Sequence, residues 1–95
     1  MHGVLKQPLY AKNFMKDYSL IDKFIVASDV SDRDGIGVEI YVKDQLVLEI
    51  FRDDTKKTRE ISQYKNDLPL ELIEQSIELF KKEIPWDFID YGEFE

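Results

Sequence analysis

The side chains of this chain that can do chemistry are mostly carboxylates. Two of them, Glu39 and Glu49, stand at matching places in neighbouring segments of alternating polarity. Carboxylates held together push one pKa upward, which suits acid/base work or a shared divalent cation. The residues that usually support such a site are missing. There is no Cys, and the single His is His2 beside the start, so thiol catalysis, disulfides, Cys-ligated zinc and a packed His base have no residues to work with. Asp29, Asp32, Asp34 and Gly35 invite a calcium-loop reading. With Gly35 as the sixth loop residue, the first ligand position falls on Val30 and the twelfth on Tyr41, and both fail. No Glu-x-Lys triplet occurs, Gly35-Ile36-Gly37 is not a phosphate loop, and the five serines fit no nucleophile elbow. The expectation is a non-enzymatic protein with no cofactor and no metal. A divalent-metal enzyme using Glu39 and Glu49 is the weakest alternative.

The remaining chemistry is recognition. Residues 85–95, PWDFIDYGEFE, interleave acids with aromatics. Aromatics supply contact area in protein interfaces, and carboxylates beside them meet Lys and Arg of a basic partner. The expected contacts are Asp87, Asp90, Tyr91, Glu93 and Phe94, with Trp86, Phe88 and Ile89 folding back to cap the core. Glu39, Tyr41, Glu49 and Phe51 offer a second surface of the same kind, with Arg52 or Arg59 available to neutralise the acids.

Charge points the same way. Across 95 residues there are 20 acids and 13 bases, a net of −7. The first fourteen residues hold only Lys6 and Lys12, so residues 15–95 carry 11 bases and 20 acids, a net of −9. Such a chain repels nucleic-acid phosphates and is steered toward a basic protein. No apolar run reaches the ~18 residues of a membrane span, and no secretory leader is visible. The expectation is a cytoplasmic protein with no membrane or nucleic-acid partner. Residues 1–14, weakly patterned and holding Pro8, read as a flexible arm, a cloning remnant, or a misplaced start with Met15 as the natural first residue.

Four strands and a helix must position these groups. Residues 23–28 (KFIVAS) read as a first strand, followed by a turn-rich loop, DVSDRDG. Residues 36–42 and 46–51 alternate cleanly. A three-residue loop, Lys43-Asp44-Gln45, sets Val42 against Leu46, Ile40 against Leu48, Val38 against Ile50 and Glu39 against Glu49, with Gln45 left-handed. Residues 58–64 make a fourth, polar edge strand, guarded by Lys57, Arg59 and Lys65. Leu70, Ile73, Ile77, Phe80 and Ile84 recur at helical spacing, a stripe widened by Leu72, Ser76 and Leu79. Pro85 ends the helix near Glu83. The predicted fold is α+β, a four-stranded antiparallel meander with one C-terminal amphipathic helix packed on one face, in a single domain of residues 15–95.

Two segments, 47–54 (VLEIFRDD) and 84–90 (IPWDFID), together with size, acidity and architecture, give residues 15–95 a resemblance to the immunity proteins of bacterial toxin systems, including contact-dependent growth inhibition. No residue role carries over by position. The resemblance implies neutralisation of a cognate toxin domain, often a basic nuclease, in the cytoplasm of the producing cell. A different class remains open, a structural or regulatory module that dimerises or docks on a larger complex through Tyr41, Val47 and Phe51.

Overall fold

A computed structural model describes residues 6–13 and 18–90, the side chains of residues 12 and 13 excepted. Five strands form one antiparallel sheet in chain order: β1 (Lys6–Asn13), β2 (Lys23–Asp29), β3 (Gly35–Val42), β4 (Gln45–Asp53) and β5 (Thr58–Gln63). The helix α1 (Leu70–Glu83) lies across one face. The class is the expected α+β one, but the sheet has five strands and not four. The added strand is β1, drawn from the segment read as an arm. Its pattern hides because Pro8 interrupts it and the register slips between Pro8 and Tyr10. Both features suit an edge strand, where a missing N–H and a bulge cost little.

The β3–β4 hairpin corrects the expected loop. Only Lys43 and Asp44 turn the chain, with φ of 51° and 64°, and Val42 pairs with Gln45. Two positive φ values match the right-handed twist of the strands. The Asp22 carboxylate accepts the Lys43 N–H at 2.6 Å, which offsets part of the strain. A register shift after Ile40 absorbs the odd residue. Consecutive Val47 and Leu48 therefore both enter the core, and Leu46 stands opposite Tyr41. Beyond the bulge, Ile40–Leu48, Glu39–Glu49 and Val38–Ile50 pair as expected.

Core residues Phe24, Val26, Val38, Ile40, Leu48 and Ile50 meet Leu72, Leu79, Phe80 and Ile84. The helix is turned relative to the expected stripe. Its buried centre is Leu72, Ser76, Leu79 and Phe80, while Ile73 and Ile77 flank it half-buried and Leu70 is 65% exposed. Ser76 tolerates full burial because its hydroxyl donates to the Leu72 carbonyl at 2.7 Å. The Ile84 N–H donates to the Phe80 carbonyl, and Pro85 ends the helix as expected.

Candidate functional site

The far face of the sheet is not the solvated surface the sequence suggested. Glu39 is 7% exposed, Glu49 2% and Phe51 2%. The two glutamates stand directly opposite each other, and the cations that answer their repulsion come from outside the expected strands. Lys6 of β1 bonds Glu39 and lies 3.5 Å from Glu49 Oε2. Arg33, in the β2–β3 loop, donates to Glu49 at 2.7 and 3.2 Å and to Asp29 at 2.9 and 3.2 Å. Its guanidinium also covers the Phe51 ring at 3.8 Å. That ring can lie flat because Gly37 is opposite; a Cβ there would sit 2.6 Å from the Ile50 carbonyl oxygen and 2.8 Å from the ring. Neither Arg52 nor Arg59 takes part, which corrects the expected neutralisation. Val47 is in the core, so the trio Tyr41, Val47 and Phe51 forms no exposed contact face.

The electrostatics follow from these contacts. Burial pulls the Lys6 ammonium downward, but the hydrogen bond to Glu39 and the charges of Glu49 and Glu39 outweigh it, and its pKa is raised. The hydrogen bond to Glu49 leads in raising Arg33, against the cost of burial. Burial pushes the Asp29 carboxyl up, yet the Ser31 hydroxyl and N–H together with Arg33 hold it down at about 2. Burial and then the Glu39 charge raise Tyr41, whose hydroxyl is 3.4 Å from Glu39 Oε1. Chemically, Lys6 Nζ sits against both carboxylates, where a shared divalent ion would sit. Among the described residues there is no metal-ligating cluster.

A second arrangement involves the C-terminal segment. Arg52 and Asp54 form a buried pair at 2.8 and 3.0 Å, and each reaches onward. Arg52 donates to the Pro85 carbonyl at 2.6 Å, and Asp54 accepts the Ile89 N–H at 3.1 Å. Arg59 donates to the Trp86 carbonyl at 2.6 Å and stacks over the Trp86 and Phe88 rings at 3.8 and 4.2 Å. Lys57 donates to the Ile89 carbonyl at 2.8 Å. Trp86 meets Phe80 edge-on. Trp86 thus reaches core Phe80 while staying half-exposed, Phe88 packs on Arg59, and Ile89, expected to cap the core, is exposed.

The Ile89 contacts bring exposed Asp90 beside the β2–β3 loop and the β4–β5 turn, while Asp87, also exposed, lies between Trp86 and Phe88, which stack on Arg59 of β5. The Asp54 N–H donates to the Asp34 carbonyl at 2.7 Å and the Thr55 hydroxyl to its carboxylate at 3.3 Å. A cleft of about 450 Å³ there is lined by Val30, Asp32, Arg33, Asp34, Asp53 and Lys56, and a smaller one of about 260 Å³ by Val30, Asp34, Arg52 and Ile89. Val30 and Ile89 are exposed apolar side chains among these acids. Sequence reasoning set aside Asp32 and Asp34 with the failed calcium loop and named neither Val30 nor Ile89 as a contact. Tyr91, Glu93 and Phe94 lie outside the described residues.

No family model, curated protein or solved structure matches this chain. Among the described residues no helix is long and apolar enough to cross a membrane.

Proposed function

We propose that this chain is a non-enzymatic binding protein for a basic protein partner, most concretely an immunity protein that neutralises a basic toxin domain in the cytoplasm. One observation supports it most. After Lys6, Arg33 and Arg52 are consumed against buried acids, Asp32 and Asp34 line the larger cleft with exposed Val30 and Lys56, and Ile89, next in sequence to Asp90, joins Val30 and Asp34 in the smaller one. Apolar contact ringed by carboxylates suits a Lys- and Arg-bearing surface, with fast capture that weakens with salt. Glu39 and Glu49 then serve the scaffold, and the docking role moves from them to the loop acids.

The test is association with a basic toxin domain followed by stopped flow. Replacing Asp32, Asp34, Asp87 and Asp90 by Asn slows association about tenfold at low salt and flattens its salt dependence. Equal association rates for the two proteins rule out this surface, and no complex with any basic toxin domain at low salt rules out the function.

A further inference from the structure

The two edges of the sheet differ. β1 carries Pro8 and a register slip, both of which discourage strand addition. The outer edge of β5 has neither, and no described strand pairs with it. Of the cations expected to guard it, Arg59 and Lys57 are drawn onto the Trp86 and Ile89 carbonyls, and Lys65 stays exposed. Ile61, opposite core Ile50, is 43% exposed on the helix side. Tyr64 and Leu70 are exposed, and Ile73 and Ile77 are half-buried.

We propose that a second copy of this chain pairs antiparallel along β5, with Ile61 on the two-fold axis. A regular antiparallel pair about a two-fold axis must be centred on a residue, since opposed side chains share a face. Within β5 the charges narrow the choice of centre. Centring on Arg59 or Glu60 sets each against itself, and centring on Ser62 sets Arg59 against Lys65. Centring on Ile61 pairs Ile61 with Ile61, Arg59 with Gln63 and Glu60 with Ser62, and sets Lys57 against Lys65 just beyond the strand, so charge rejects Arg59 and Glu60 as centres and the apolar Ile61 pair decides over Ser62. The backbone agrees. The Tyr64 N–H points inward to the Val47 carbonyl at 2.9 Å, so alternation turns the groups of Arg59, Ile61 and Gln63 outward. The Ile61 pair exchanges two hydrogen bonds across the axis, flanked by two Arg59–Gln63 pairs. Both helices then lie on one face of a ten-stranded sheet. An edge strand alone is small beside a stable interface, so further apolar area must come from exposed side chains outside β5 such as Leu70. This proposal does not rest on the toxin-binding reading, although Asp87 of that surface lies between Trp86 and Phe88, which stack on Arg59 of β5.

Light scattering on the full chain over a concentration series tests it. The mass rises toward twice 11.3 kDa. Ile61→Arg places two cations on the axis and holds the mass at the single-chain value with an unchanged circular dichroism spectrum, while Leu9→Arg on the opposite edge still dimerises. The chain has no Cys, so in Ile61→Cys mild oxidation yields a covalent dimer, a readout that does not depend on how Ile61→Arg folds. A wild-type mass of one chain at every concentration overturns the proposal. So does unaltered dimerisation of folded Ile61→Arg, or a cysteine variant that stays uncrosslinked.

Discussion

Replacing Arg33 by Met tests whether the far face of the sheet is held by charge. The change keeps a flexible apolar side chain over Phe51 and deletes both hydrogen bonds to Glu49 and both to Asp29. Removing one partner of a buried ion pair costs ~3–5 kcal/mol, chiefly because the other charge is left uncompensated. Here Lys6 remains 3.5 Å from Glu49, and Ser31 still bonds Asp29. The low end of that range applies, about 3 kcal/mol. A chain of this size has a total stability of roughly 5–14 kcal/mol. The loss therefore moves the urea midpoint down by ~2–3 M at a slope of ~1 kcal/mol/M, and Tm by roughly 10–20 °C. Adding Glu49→Gln removes the stranded charge and recovers about 2 kcal/mol, so the two changes are strongly non-additive. Urea unfolding of the wild type, both single variants and the double variant measures this cycle at neutral pH. A loss below about 1 kcal/mol for Arg33→Met, or additive single costs, refutes the reasoning.

Two further outcomes follow from the same contacts. Asp29 is held at about 2 against an ordinary 3.8. A folded-state pKa below the unfolded one stabilises the protein above pH ~4, and that stability disappears as pH falls from there toward 2. It amounts to about 1–2 kcal/mol, and Asp29→Asn flattens the urea midpoint over that acid window; an unchanged acid slope contradicts the assignment. Arg59→Ala uncovers Trp86, the only tryptophan, and red-shifts its emission while lowering stability by about 1 kcal/mol; an unshifted spectrum shows that the stack is not formed in solution.

Much of the fold was legible because it rests on periodicity. The alternation of residues 36–42 and 46–51 fixes Glu39 opposite Glu49, and the spacing from Leu70 to Ile84 marks the helix. What escaped was compensation. The expected three-residue loop sets Glu39 against Glu49, but the chain turns in two residues and a bulge at Val47 restores that pairing. The helix turns because Ser76 satisfies its own hydroxyl, which no apolar count reveals. Lys6 went unseen as a partner because its strand is broken by Pro8. Arg33, inside a loop of Asp and Ser, is the cation nearest in sequence to Asp29, and that local spacing was the one available signal. For the site, the acid–aromatic interleaving singled out residues 85–95, of which 85–90 are described. It could not show that Val30, Asp32 and Asp34 would be their neighbours, because that proximity is set by the Asp54 contacts with Asp34 and Ile89.

The polar grips on the C-terminal segment all take hold of main-chain atoms. The carbonyls of Pro85, Trp86 and Ile89 accept from Arg52, Arg59 and Lys57, and the N–H of Ile89 donates to Asp54. Position 87 contributes no side chain to those grips, so mutation can rewrite what it displays while the segment stays fastened. In evolutionary terms the scaffold and the displayed surface are separable. On the proposed binding reading, a lineage changes its partner through substitution at position 87, with Arg52, Asp54, Arg59 and Lys57 as the residues that selection must leave in place.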